Sequence, residues 1–279
     1  MKAISNPALA SKIERSKRKR RKRRKASSLY KLKGLVLPVL LIAVWQIIAG
    51  SQIVSSTVLP SPVLIAESFR ELIRSGELFG HLYISLYRAI CGFLLGGGLG
   101  LMLGVCVGFS KKTEQYVDPT LQMLRTVPHL AVTPLFILWF GFDETAKILL
   151  IALGAFFPIY INTFLGIRSV DNKLFDVARA LEFNLYQSIT KLILPAALPH
   201  ILLGVRLSLG IAWLGLVVAE LMGSSSGVGY MIMDARQFSQ TDKVFVGIII
   251  FAVVGKLTDS FVRLLEKRLL KWRTSYQGE

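Results

Sequence analysis

The chain has 279 residues, 53% of them hydrophobic and only 18% charged, with a formal net charge of +17 and a mean hydropathy of +0.54. An apolar excess of this size excludes a largely disordered chain and points to a membrane protein. The two cysteines, Cys91 and Cys106, lie fifteen helical residues or roughly 22 Å apart, too far for a disulfide, and are expected as free, buried thiols.

Residues 1–33 are a basic tail: they hold 14 of the 34 Lys and Arg against one acid, Glu14, and nine basic residues run unbroken from Lys17 to Lys25. Such a run fits a solvated, self-repelling segment, a nucleic-acid arm, or a cytoplasmic flank on anionic lipid, the last worth about 1 kcal/mol per basic residue. Because an apolar segment follows directly, the lipid bilayer is the expected partner and nucleic acid the lesser alternative. Residues 34–54 carry no charge over 21 positions, about the thickness of a hydrocarbon core, and form the first expected span. Ala49 and Ser51 after a basic flank also fit a cleaved signal peptide, but the apolar runs downstream favour an uncleaved anchor.

In the outer segment, 55–88, Ser61 and Pro62 read as an N-cap and a first-position proline, followed by an amphipathic surface helix from Val63 to Arg74. The second span, 89–109, carries Gly92, Gly96, Gly100, Gly104 and Gly108 at every fourth position, a ridge of bare backbone for close helix packing. That ridge serves either the subunit's own bundle, the slightly favoured reading, or a dimer interface. The third span, 126–142, and the fourth, 148–167, form a membrane hairpin around a turn with Asp143, Glu144 and Lys147, and Pro134 and Pro158 are expected to kink them.

Residues 168–200 read as an inner loop of two short helices, about Asn172 to Leu181 and Leu185 to Leu194, ended by Pro195 and Pro199. Its apolar face needs a partner, or else rests on its own membrane surface. The fifth span, 201–220, is interrupted by Arg206, a charge that costs about 2.5–3.5 kcal/mol at the midplane on insertion scales. Arg206 is either part of an anion path or snorkels to the inner surface. Gly204, Ser208 and Ala212 make a second small-residue ridge, and Glu220 reads as a helix-end residue at the interface. An outer loop, 221–243, a sixth span, 244–262, with Lys256 and Asp259 paired on one face, and a C-terminal segment, 263–279, complete the chain. With the N-terminus inside, the inner segments collect 26 Lys and Arg against 6 outside, and 12 against 6 without the tail, which places both termini in the cytoplasm.

No Walker A sequence is present, and His81, His129 and His200 lack metal-site spacing, so no catalysis, cofactor or metal is expected. The GSSSG stretch, Gly223 to Gly227, matches G-x-S-x-G literally, but it follows a membrane span rather than a strand and reads as a flexible or re-entrant loop. A membrane enzyme would need a convergent set of titratable groups that the sequence does not present.

The inner loop DVARALEFNLYQSITKLILPAALP, 176–199, resembles the EAA loop of permease subunits in bacterial binding-protein-dependent ABC importers. Asp176, Val177 and Ala178 occupy the opening triplet, Glu182 stands where the family has glycine, and Leu192, Leu194 and Pro195 close the pattern. Glutamate resists the positive φ that glycine supplies, so the turn is expected to be built differently, with altered coupling. The likeness runs from about Leu59 to Trp272, with the permease core at about 80–263. LPSP (59–62), MLRTVPHLAVTPLFILWFG (123–141), FFPIYINT (156–163), GIRSVD (166–171) and AELMGSSSGVGY (219–230) resemble the nitrate, sulfonate and taurine branch. VPHLA, FPIYINT and MDARQFSQTD (233–242) are most similar to aliphatic sulfonate permeases.

The resemblance implies an all-α integral membrane protein with six transmembrane helices in the type I ABC importer permease fold, carrying sulfonates inward for sulfur supply. It implies a homodimer, two copies of an ABC ATPase inside that grip the 176–195 loop, and an extracytoplasmic sulfonate-binding protein outside. Taurine, nitrate or another small anion is the alternative cargo. Arg206, Asn162, Ser208 and His129 are the expected lining of the route, and a nucleic-acid-binding membrane anchor acting through the tail is the alternative of a different class.

Overall fold

The computed structural model describes residues 36–51 and 54–272. The basic tail and its lipid contact lie outside the described residues, as do positions 34–35, 52–53 and 273–279. Residues up to Ala66 and residues from Glu67 onward form two compact units.

In the first unit, helix α1 (Val36–Gly50) is apolar but only 15 residues long. Its Trp45 Nε1 donates to the Pro60 carbonyl at 3.1 Å, and its Gln46 Oε1 accepts from the Val63 amide at 3.3 Å. Helix α2 (Pro62–Arg74) starts there, with Ser61 Oγ accepting from the Leu64 amide at 3.2 Å, the cap expected of this serine before proline.

The second unit is a bundle built on α3 (Glu77–Phe109), α6 (Glu144–Arg168), α8 (Leu185–Gly223) and α10 (Thr241–Leu269). These are the four helices, among the described residues, long and apolar enough to cross a membrane. Half of the α6 span is buried against 17% of the α10 span, so α6 is the central element. On one side α6 fills the glycine ridge of α3. A Cβ at Gly96 would strike the Ala152 carbonyl, and one at Gly100 would come within 2.5 Å of the Phe156 carbonyl, so backbone meets backbone. On the other side Gly204 of α8 faces Asn162 and the Pro158 carbonyl of α6, and Ser208 Oγ donates to the Ala155 carbonyl at 2.6 Å. Both ridges are thus used within the chain.

Several expectations are corrected. Helix α3 begins at Glu77, twelve residues before the expected second span, so Arg88 is helical rather than part of an outer segment. The expected third span, 126–142, is not a single helix: it holds only the second half of a bent pair that begins at Lys111. Helix α4 (Lys111–Arg125) rises beside α6, the chain turns through Thr126–Pro128, and a 3₁₀ turn (His129–Val132) leads into α5 (Thr133–Phe140), the two halves bending by 78°. Pro134 therefore sits in the first turn of α5, where its missing N–H costs nothing, and kinks no span. Pro128 ends the first half instead, because the residue before a proline is driven out of the helical region.

Neither Pro195 nor Pro199 ends a helix. The stretch from Leu185 runs through a π-helical turn, Ser188–Ile193, directly into the fifth span as one 39-residue helix. The wide turn precedes Pro195, where a regular α-turn would set the ring against the carbonyl four residues back. The cysteines are free as expected, yet Cys91 is only half-buried and Cys106 exposed, because the glycine face of α3 and not the cysteine face meets α6. A short helix, α9 (Val228–Gln237), separates α8 from α10.

Candidate functional site

Among the described residues of the second unit, three places bear most on function: the elbow between residues 172 and 187, a buried charge cluster at the opposite end of the bundle, and a cavity between them.

At the elbow, α7 (Asn172–Ala180) is capped by Asp171, whose carboxylate accepts from the Lys173 amide at 2.9 Å. Its other end closes as a Schellman motif: the Glu182 amide donates to Arg179 O at 3.0 Å and the Phe183 amide to Ala178 O at 2.9 Å, with Glu182 at φ 55°. The expectation of a rebuilt turn is therefore wrong, since glutamate occupies the left-handed position that glycine would take. Asn184 then opens α8 with a reciprocal capping box to Gln187, at 2.8 and 3.1 Å.

Asp176 and Val177 are exposed, and Ala178 is buried. Leu192 packs with Ile167, Ile193, Ala197 and Ile201 in the core at the C-terminal end of α6, while Leu194 is half-exposed and Pro195 partly buried. The face left open is apolar: Leu174, Val177, Leu181, Leu185 and Tyr186, the last two at least three-quarters exposed. Apart from Val177 the motif does not name these residues; the i, i+3, i+7 spacing of Leu174, Val177 and Leu181 was the signal for them.

At the other end, Arg88 is fully buried with its donors spent. Nε and Nη2 hold both oxygens of Glu144 at 2.6 Å, Nη1 meets Glu220 Oε1 at 2.8 Å and the Ser226 carbonyl at 2.7 Å, and Nη2 also reaches Ser226 Oγ at 3.1 Å. Glu220, 1% exposed, further accepts from Ser85 Oγ at 2.7 Å and the Gly229 amide at 2.8 Å. Glu220 is thus no interfacial residue. The GSSSG loop is not free: Gly227, at φ 108°, lies against the Glu220 carboxylate where a Cβ would collide, and its amide donates to His81 Nδ1 at 3.1 Å. A signal existed for both charges. Arg88 continues the every-fourth-residue ridge of Gly92 to Gly108 by one step, and Glu220 continues Gly204, Ser208 and Ala212 by two, so each faces the bundle.

Between these ends lies a cavity of about 740 Å³. Its walls come from the bend between α4 and α5 (Leu124 to Pro128 and Val132), from α6 (Leu153 to Asn162) and from α8 (Leu207 and Ile211). The α6 stretch is the middle of a helix that runs from 144 to 168, so the cavity sits at half its length. Helix α4 reaches this level because its polar residues are tied to α6: Tyr160 Oη donates to Asp118 at 2.6 Å, and Arg168 pairs with Glu114.

Of the residues expected along a route, Asn162 lines this cavity and gives one amide hydrogen to the Pro158 carbonyl at 2.8 Å. Ser208 is not among its lining residues, being buried with its hydroxyl committed to α6. Arg206 is held by Asp259 of α10, Nε to Oδ1 2.8 Å, a partner 53 residues away. Asp259 also meets Lys256 at 3.8 Å and Arg263 at 2.9 Å. The side chain of His129 lies outside what the structure describes.

The sequence profile described as "Binding-protein-dependent transport system inner membrane component" matches residues 96–271. The chain belongs to this family. It is 78% identical over 247 residues to SsuC of Bacillus subtilis (strain 168), a protein named for aliphatic sulfonates transport as a permease, covering 88% of this chain and 90% of that one. To the taurine transport system permease protein TauC of Escherichia coli (strain K12) it is 35% identical, over 85% and 88% of the two chains. The fold matches a solved amino acid ABC transporter "with histidines" at a TM-score of 0.60 and 17% identity, over 72% of this chain and 98% of that one. The chain is an inner-membrane ABC importer permease subunit, a transport component rather than an enzyme, and subunits of this kind work with ATPase partners.

Proposed function

We propose that this chain is the membrane path of an ATP-driven importer of aliphatic sulfonates, assembled as a homodimer with two ATPase copies inside and a sulfonate-binding protein outside. The observation that carries the reading is the 78% identity to a relative named for aliphatic sulfonates transport. The lower identity to the taurine permease favours that cargo over an aminosulfonate.

In this reading the α7–α8 elbow, and with it both termini, faces the cytoplasm. The exposed leucines of the elbow and Tyr186 enter a groove on the ATPase, with Asp176, Val177, Ala178, Glu182, Leu192, Leu194 and Pro195 shaping the elbow. Helix α8 is one continuous rod from Leu185 to Gly223, so a push at the elbow travels along it to Glu220. The π-turn at 188–193 is the place where that rod has slack. The substrate passes without covalent change.

The test is ATP-dependent uptake of labelled butanesulfonate by cells lacking their own sulfonate permease and supplied with this chain, its ATPase and its binding protein. Uptake competed by other alkanesulfonates but poorly by taurine or nitrate is the expected result. Uptake competed best by taurine or nitrate would replace the cargo, and none with the protein in the membrane would overturn the reading.

A further inference from the structure

The 740 Å³ cavity falls within the roughly 300–1,000 Å³ range of small-molecule sites, and it lies at the 78° bend between α4 and the helical stretch after it. Irregular backbone at membrane depth persists only where protein buries it or it lines a watered space. Two observations indicate what such a space receives. Its wall is largely hydrocarbon, with Leu124, Val127, Val132, Phe157, Ile161 and Ile211 among the lining. Among the described residues lining it, Arg125 carries the one formal charge and none is acidic.

Arg125 is the last residue of α4 and, among the described residues, joins in no ion pair and no side-chain hydrogen bond, although it stands level with the midpoint of α6. A guanidinium at that depth is costly unless something is gained by keeping it there. Its full charge more than offsets the half-charge of the α4 C-terminus beside it. The neighbouring polar groups are partly committed: Thr126 Oγ1 donates to Met123 O at 2.7 Å, while Asn162 keeps its second amide hydrogen.

We infer that this cavity is a transit site for the alkanesulfonate itself, with Arg125 binding the sulfonate oxygens, Asn162 adding a donor, and the aliphatic wall receiving the alkyl tail. This rests on the proposed cargo and adds a place and a selectivity to it. A planar guanidinium presents paired N–H donors to two sulfonate oxygens. The apolar wall favours a longer chain over a shorter one, and the lack of an acidic residue leaves the ammonium of an aminosulfonate without a partner.

The experiment uses the whole importer, permease with ATPase and binding protein, in proteoliposomes, following uptake of labelled butanesulfonate and methanesulfonate together with ATP hydrolysis. Arg125→Gln should lower butanesulfonate uptake about tenfold, the loss expected of one charge-assisted hydrogen bond, while binding-protein-stimulated hydrolysis stays within about twofold. Arg125→Lys should restore most of it. Val127→Trp, which narrows the cavity from the loop side, should cut the butanesulfonate-to-methanesulfonate uptake ratio about fivefold. Arg125→Gln uptake at the wild-type rate, or a Val127→Trp variant that lowers both substrates equally, overturns the transit site while leaving the cargo standing. Should Arg125→Gln fail to assemble, the Val127→Trp ratio decides alone. A wild-type importer that moves no alkanesulfonate overturns the cargo, and the site falls with it.

Discussion

Arg88 and Arg125 are both guanidiniums on membrane helices, and they are held in opposite ways. Arg88 is fully buried and makes five hydrogen bonds to Glu144, Glu220 and Ser226, so three long helices and the 224–227 loop are tied at one point. Arg125 stands at a chain break beside a cavity and has no ionic partner among the described residues. A charge whose donors are all taken can hold a structure but cannot receive an anion. A charge with free donors can do the second and contributes little to the first.

The difference predicts unequal costs. Arg88→Met leaves Glu144 without its bidentate partner and Glu220 buried beside apolar carbon, so it should destabilise the permease by about 3–5 kcal/mol, the cost of breaking a buried pair from one side. Thermal unfolding of the detergent-purified protein should show this as a collapse of the midpoint or a failure to accumulate, whereas Arg125→Gln should leave the midpoint near the wild type. Equal losses at the two positions would erase the contrast. Next in size is Gly100→Val: its side chain would meet the Phe156 carbonyl, and separating α3 from α6 should cost about 1–3 kcal/mol. The same substitution at Gly98, where a Cβ meets nothing within 4 Å, is the control and should be close to neutral.

How far the sequence could be read follows from how local each signal is. The glycine ridge is a repeat within one helix, and the face it marks is the face α6 fills. The Arg88–Glu220 contact joins residues 132 apart, beyond any local pattern, although the two ridges did aim both side chains inward. The bent pair of α4 and α5 was missed for a physical reason. Glu114, Asp118 and Arg125 make α4 look like a watery loop to any count of charges, yet Glu114 is paired with Arg168 of α6 and Asp118 accepts from the Tyr160 hydroxyl of α6. Hydropathy sees what a residue would cost alone; it does not see the neighbour that removes the cost. The Schellman turn was missed because its usual marker, glycine, is replaced by Glu182.

That turn gives a smaller test at the other end of the molecule. Glu182 holds φ 55° without glycine's freedom, so part of the elbow's stability is spent on a left-handed backbone. Glu182→Gly should relieve that strain but also loosen the unfolded chain, leaving a net gain of only a few tenths to about 1 kcal/mol, while the β-branched Glu182→Val should lose about 1–2 kcal/mol. The pair of thermal midpoints should bracket the wild type. If both fall below it, the glutamate is making an interaction of its own, and the elbow is more than a turn.

The smallest effect is expected at Arg206. Its partner Asp259 also faces Lys256 and Arg263, so three cations share one carboxylate, and each of these side chains is at least a quarter exposed. Losing one of three partners leaves the carboxylate paired and the surroundings positive. Arg206→Gln should therefore leave the unfolding midpoint unmoved and sulfonate uptake at the wild-type rate. If the route ran past Arg206 rather than Arg125, uptake would fall in this variant and not in Arg125→Gln. The two guanidiniums thus compete directly for the same role, and a single uptake assay on two substitutions separates them.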